Sequence, residues 1–125
     1  TFENCKFNSN GAEHSVWTYS SKETNFTNCE FTYGDRCVNV YVDNGTADAE
    51  VNFTNCKFAT ANAASKGAVE INSSAFPQGV TVALDGCTAP AHGEIAFISG
   101  WDSANGANAT VTIDGVVTNV PQLAK

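Results

Sequence analysis

Methionine is absent from this chain, arginine occurs once, at Arg36, and proline three times in 125 residues. With 6 basic residues against 13 acidic ones and a formal net charge of -7, there is no cluster of lysine and arginine to neutralise phosphates, which argues against nucleic acid as a partner. Neutral glycans, proteins or cations suit an acidic shell better. No apolar run approaches the roughly 18 residues of a membrane-spanning helix, and no basic-then-apolar leader opens the chain, so membrane insertion is not expected. No window of useful length sets apolar residues at i, i+3 and i+4, so a helix is hard to place anywhere. The five cysteines are spaced 24, 8, 19 and 31 residues apart, which fits no zinc or CxxC redox pattern. No cofactor motif and no catalytic signature occurs. A chain that opens at Thr1, inside a repeat and without methionine, is expected to be a piece of a longer polypeptide.

What the sequence does contain is a repeat. Phe26-Thr27-Asn28-Cys29-Glu30-Phe31 recurs as Phe53-Thr54-Asn55-Cys56-Lys57-Phe58 and opens the chain as Phe2-Glu3-Asn4-Cys5-Lys6-Phe7. Leu84-Asp85-Gly86-Cys87-Thr88-Ala89 keeps the cysteine, and Ile113-Asp114-Gly115-Val116-Val117-Thr118 keeps only the pattern. Alignment on Cys5, Cys29, Cys56, Cys87 and Val116 gives repeat lengths of 24, 27, 31 and 29 residues, too irregular for helical repeat arrays but natural for stacked strands joined by loops of varying length. With 42% hydrophobic residues the chain can bury one core, so a single domain over 1–125 is expected, with turns near 1–23, 24–50, 51–78, 79–108 and 109–125.

Each repeat offers three short strands. The first precedes the asparagine, the second begins at the cysteine, and the third is an alternating segment: Val16-Trp17-Thr18-Tyr19, Val38 to Val42, Val69-Glu70-Ile71 and Ile95-Ala96-Phe97-Ile98. Period-two alternation marks half-buried strands. The residue before each cysteine reads Asn4, Asn28, Asn55, Gly86, Gly115. Asparagine and glycine are the two residues that accept positive φ most readily, so this column predicts a tight bend between two strands. Stacking would align the three asparagine amides into a hydrogen-bonded ladder. Phe26, Phe53, Leu84 and Ile113 are expected to form one inward column, Phe7, Phe31 and Phe58 a second, and Val16, Val38, Val69 and Ile95 a third.

Three strands per turn, a short Asn-bearing bend and a variable loop after the NCxF strand resemble the right-handed parallel β-helix of the pectate-lyase-like superfamily. The F-x-N element and Gly67-Ala68-Val69-Glu70-Ile71 are similar to repeats of bacterial surface adhesins and autotransporter passengers. The resemblance covers essentially the whole chain. It implies an all-β solenoid of about five turns, placed outside the cell or at its surface. Members of such families range from polysaccharide lyases and hydrolases to phage tailspikes and adhesins, so function must come from the site.

Several sets of residues bear on chemistry. Cys5, Cys29, Cys56 and Cys87 alternate with outward Lys6, Glu30, Lys57 and Thr88, which puts the thiols in an interior column, either free or bridged between neighbouring turns such as Cys5 to Cys29; Cys37 could instead meet Cys29. Outward positions of the third strand give a row of Trp17 and Tyr19, then Asn39 and Tyr41, then Glu70, then Ala96. Flat rings beside an amide and a carboxylate are what a sugar-binding face needs, although Trp and Tyr also suit any exposed sheet. Glycoside hydrolysis would need a second carboxylate roughly 5 to 9.5 Å from Glu70, with Asp43 or Glu94 as the neighbours available. Lyase motifs are missing, and catalytic residues are expected to be none. His14 and His92 read as solvated loop histidines. Asp43, Asp48 and Glu50 form a small acidic loop with no calcium-binding pattern, and no metal or cofactor is expected. Trp101 crests the longest loop, Ser99 to Asn108, a candidate for partner contact. Five N-glycosylation sequons are present, two generated by the repeat itself.

The expected function is therefore a non-catalytic β-helical segment of a secreted or surface protein, an adhesin or stalk that contacts glycan or protein, with self-association through its ends. The alternative is a fragment of a polysaccharide lyase, glycoside hydrolase or phage tailspike. Ice binding ranks below both, since the outward columns mix Lys, Glu, Asn and Trp rather than threonine alone.

Overall fold

The structure, a computed structural model, describes residues 1–19, 21–41, 49–62, 67–72, 79–89, 98–99 and 109–118. Every regular element among them is a strand. The first repeat contributes β1 (Phe2–Glu3), β2 (Lys6–Ser9) and β3 (Val16–Tyr19), the second β4 (Glu23–Thr27), β5 (Glu30–Tyr33) and β6 (Val38–Tyr41), and the third β7 (Ala49–Thr54), β8 (Lys57–Ala59) and β9 (Val69–Asn72). The fourth supplies β10 (Val80–Asp85) and β11 (Ile98–Ser99), and the fifth β12 (Ala109–Ile113) and β13 (Val116–Thr118). Three sheets result, ordered β1-β4-β7-β10-β12-β13, β2-β5-β8 and β11-β9-β6-β3. Through the first three repeats, consecutive strands enter successive sheets, and every third strand returns beside its predecessor in parallel.

The corner between first and second strands is set by one residue. Asn4, Asn28 and Asn55 have φ of 55, 53 and 53°, and Gly86 has 64°. This left-handed conformation costs most residues about 1–2 kcal/mol, and asparagine and glycine far less. Each corner is tied to the next repeat through the main chain: Asn28 N–H donates to Thr54 O at 2.9 Å and Asn55 N–H to Asp85 O at 2.8 Å. The corner side chains themselves are exposed, and among the described residues their amides do not bond to one another. The amide bond that does run between repeats lies inside the strands, where Asn52 Nδ2 donates to Asn25 Oδ1 at 3.0 Å. Water competes for the exposed corner amides, whereas the strand positions are held face to face by the backbone ladder.

Inward positions stack on themselves. Phe2, Phe26, Phe53, Leu84 and Ile113 are successive register partners, and the rings of Phe2 and Phe26 and of Phe26 and Phe53 are each 5.1 Å apart and nearly parallel. Phe7, Phe31 and Phe58 stack at 4.9 Å. The two columns meet edge to face, with Phe26 and Phe31 centroids 5.5 Å apart, the geometry that aromatic quadrupoles favour. Phe26, Phe31 and Phe53 are essentially inaccessible, and burial of such a ring stabilises by roughly 1.5–3 kcal/mol. Outside, Lys6, Glu30 and Lys57 alternate in charge along one register column, and Lys6 Nζ lies 3.2 Å from Glu30 Oε2. A one-strand slip would bring like charges together, so this exposed column favours register more than it adds stability.

Three expectations are corrected. In the third sheet Val69 pairs with Ile98, and Glu70 with Ser99, where alignment of the repeats puts Ile95 and Ala96; residues 90–97 lie outside the described residues. The second strand of the fourth repeat shrinks to one bridge, Lys57 to Thr88, because Pro90, two residues on, has no N–H to extend a ladder. Among the described residues the fifth repeat does not continue into the second sheet. Asp114 and Gly115 both have positive φ, 50 and 77°, and β13 folds back antiparallel on β12, with Val111 opposite Thr118 and Ile113 opposite Val116. Two positive φ values in a two-residue loop make the turn that matches the twist of a hairpin.

Candidate functional site

On the outward side of the third sheet, polar side chains are buried together. Strand register sets Trp17 beside Asn39 and Asn39 beside Glu70, and likewise Tyr19 beside Tyr41 and Tyr41 beside Asn72. The aromatic members form a stack: Tyr19 and Tyr41 centroids are 5.2 Å apart at an interplanar angle of 12°, and Trp17 and Tyr41 are 5.9 Å apart at 30°. Stacking along the row covers ring faces with neighbouring rings. The uncovered aromatic area therefore lies on the first repeat, where Trp17 is 53% and Tyr19 57% exposed.

Asn39 is not the surface amide its alternation predicts, for it is fully buried. The cover comes from the connection between β2 and β3. That connection packs against the second repeat at Gly34, where a Cβ would stand 2.8 Å from the carbonyl oxygens of Asn10 and Gly11, so a side chain there would push it away. Ser15 and Val16 N–H both donate to Cys37 O, at 2.8 and 3.2 Å. Held this way, His14 reaches across the second repeat to the third, and its Nε2 lies 2.7 Å from Glu70 Oε2. The His14 side chain is 2% exposed and that of Glu70 14%. The imidazole also meets Trp17 edge to face, with centroids 5.6 Å apart.

His14 is thus a buried clasp rather than the solvated loop histidine its setting suggests. Glu70, expected as an open carboxylate, is engaged by it. Because a carboxylate only accepts, the proton of this contact sits on Nε2, which leaves Nδ1 as the second ring position. Nδ1 is buried without a hydrogen-bond partner, as are Ser15 Oγ and both side-chain polar atoms of Asn39. With its second nitrogen enclosed, the imidazole presents no free nitrogen to solvent. Asp43 and Glu94, the carboxylates paired with Glu70 in the hydrolase alternative, lie outside the described residues, as do His92 and Trp101. Among the described residues no group of three His, Cys, Asp or Glu side chains could hold a metal ion.

Cys5, Cys29, Cys56 and Cys87 form their own column, and all five cysteines are free thiols. Cys29, Cys56 and Cys87 donate to the carbonyls of Phe2, Phe26 and Phe53 in the preceding repeat at 3.4–3.5 Å, and Cys5 to its own Glu3 O at 3.4 Å. Burial pushes the Cys29 and Cys37 thiols up from the ordinary cysteine range. The neighbouring Cys87 thiol lowers Cys56 to about 7, and the same proximity to Cys56, with burial, raises Cys87.

Sequence reasoning missed His14, although the alignment of Val16, Val38 and Val69 already placed Glu70 in the Trp17 and Asn39 row without a basic neighbour on any strand. A carboxylate isolated on a half-buried row needs a partner from a loop, and the β2–β3 connection carries the nearest one. Comparison with protein-family models, with curated proteins and with solved structures finds no match.

Proposed function

We propose that this chain is a non-catalytic segment of a right-handed parallel β-helix, of the kind found in the pectate-lyase-like superfamily, belonging to a secreted or cell-surface protein. Its role is adhesion or spacing, with a neutral glycan or a partner protein received on the first-repeat end of the Trp17, Tyr19 and Tyr41 row. The return of every third strand to the same sheet, in register through three repeats, supports the winding. Crossovers between parallel strands are almost always right-handed. The reading of the surface is carried by one observation. Among the described residues Trp17 and Tyr19 are the two aromatic side chains more than half exposed, and exposed aromatics are the groups that stack on sugar rings and anchor protein interfaces.

The non-catalytic half of the reading is supported by the enclosed imidazole and by the engagement of Glu70. Polyanionic glycans fit less well than neutral ones against a formal charge of -7. The test is a titration with neutral oligosaccharides, cellohexaose and chitohexaose, alongside polygalacturonate as the acidic comparison, read by tryptophan fluorescence. Saturable binding to a neutral oligosaccharide that weakens up to about tenfold in Trp17→Ala, equivalent to about 1.4 kcal/mol, is the expected result. Release of reducing ends or unsaturated products by the unmodified chain would instead establish the lyase or hydrolase alternative.

A further inference from the structure

We propose that Asn39 and Glu70 are the hydroxyl-reading half of the aromatic row, and that residues 10–15 are a strap which a neutral glycan lifts off them. This rests on the glycan reading of Trp17, Tyr19 and Tyr41, and adds which polar groups the sugar meets and what controls access to them. Asn39 stands between Trp17 and Glu70 in register, so the three side chains form one row beside the Tyr19 and Tyr41 stack. Asn39 is fully buried, and neither its Oδ1 nor its Nδ2 has a hydrogen-bond partner. Nδ1 of His14, which belongs to the strap, is buried and unpartnered as well. A donor or acceptor that has left water and gained no partner destabilises the state that encloses it. The closed strap therefore carries a cost that a ligand hydroxyl removes.

The strap is fixed at its two ends and lightly held between them. Its ends sit on the second repeat, at Gly34 and at Cys37, whose carbonyl accepts from Ser15 and Val16. Asn10, Gly11, Ala12 and Glu13 are exposed, so they add nothing to the core. Among the described residues, the side-chain bond that pins the strap is His14 to Glu70, with the imidazole edge resting on Trp17. Once that bond parts, the row is complete. An amide offers a donor and an acceptor side by side, the pattern of two adjacent sugar hydroxyls, and a carboxylate accepts from a third. The same carboxylate, freed from its imidazole, repels a uronate. A neutral sugar ring stacked on Trp17 is thus the ligand that both halves of the row accept. Part of its binding energy goes into lifting the strap, so the measured affinity lies below what the contacts alone would give.

Carbethoxylation of His14 by diethylpyrocarbonate, located by peptide mass spectrometry, tests this with cellohexaose and chitohexaose as the probes. A ligand that only lies over the row shields the imidazole, whereas one that lifts the strap exposes it. A saturating oligosaccharide should therefore speed modification of His14 roughly tenfold. His14→Ala, with no clasp to break, should bind the oligosaccharide about three- to tenfold more tightly. Asn39→Leu exchanges an enclosed amide for an apolar group of similar size. It should raise the thermal midpoint by about 2–5 °C, slow ligand-free modification of His14, and weaken binding about tenfold. Slower modification of His14 with ligand, or unchanged or weaker binding in His14→Ala, would overturn the strap and leave the glycan reading standing. A lower midpoint in Asn39→Leu would overturn it without any ligand, since the amide would then have a partner in the closed state. If no oligosaccharide binds either the unmodified chain or His14→Ala, the glycan reading fails, and the assignment of Asn39 and Glu70 fails with it.

Discussion

The dipeptide Asp-Gly occurs at two equivalent corners, Asp85-Gly86 and Asp114-Gly115, and the chain leaves them in opposite directions. At the first, only the glycine has positive φ, and the chain goes on to meet the second sheet at Thr88. At the second, both residues do, and the chain reverses into β13. Both sequences permit both turns, so local propensity does not decide. The partner beyond the corner does. Cys87-Thr88 finds Cys56-Lys57 still presenting ladder groups, whereas Val116-Val117 would find only the single bridge residue Thr88, and Pro90, two residues on in the sequence, has no N–H to offer a ladder. Among the described residues the fifth repeat instead pairs with its own first strand. Asp114 then does for Gly86 what a further corner would have done, its Oδ1 accepting the Gly86 N–H at 2.8 Å.

The sharpest way to break this comparison is to remove the glycines. Gly86 has φ of 64°, and a Cβ there would lie 2.5 Å from Asn55 Oδ1, while Gly115, at 77°, has open space around it. Gly86→Val should therefore cost about 2–3 kcal/mol, the sum of left-handed strain and displacement of Asn55. Gly115→Val carries the strain alone and loosens only a hairpin at the end of the sheet, a cost nearer 1 kcal/mol. Urea unfolding midpoints measure both. Equal costs would mean that the two corners are held by the same forces.

The residue after each corner separates them in a second way, since Cys87 is a titrating thiol and Val116 is not. A thiol whose folded pKa is raised holds its proton in the folded state, so its stabilising effect is complete below the unfolded value of 9.0 and is lost as pH rises beyond it. Each such thiol contributes a slope of up to about 1.4 kcal/mol per pH unit. Cys37 and Cys29 act in the same direction. Stability should fall between pH 9 and 11, and Cys87→Val, which makes the fourth corner chemically like the fifth, should remove one thiol's share of that slope. Unfolding measured at pH 8 and pH 10 gives the slope directly; an unchanged slope in the variant would count against the contact with Cys56 and the burial that raise Cys87.

How far the sequence reaches follows from the same contrast. The inward columns, the parallel pairing and the positive-φ corners were legible because each repeats at nearly identical spacing, and stacking multiplies a weak local preference into a shared one. The departures fall where repetition fails. Ile98 rather than Ile95 pairs with Val69, which spacing alone could not fix across a loop of different length. The turn at Asp114 depends on a partner strand that is missing, and a missing partner leaves no mark in the residues that lack it. At the site, Trp17, Tyr19 and Tyr41 stand on the predicted face, but His14 is joined to Glu70 across 56 residues, and Asn39 is buried by a connection rather than by its own strand.

The smallest effect should come from the carboxylate that ends the ladder. Asp114→Asn keeps an acceptor at Oδ1 and a residue at ease with positive φ, so its stability should stay within about 0.5 kcal/mol of the unmodified chain. Asp114→Gly keeps the turn and removes the acceptor, so the Gly86 N–H exchanges its partner for water at a cost of about 1 kcal/mol. Hydrogen exchange at the Gly86 amide separates this from a general loosening. It should quicken in Asp114→Gly while the amide of Asn55, bonded to Asp85 O one repeat earlier, keeps its protection. If both amides quicken together, the carboxylate secures the hairpin as a whole and the last corner ends the ladder by some other contact.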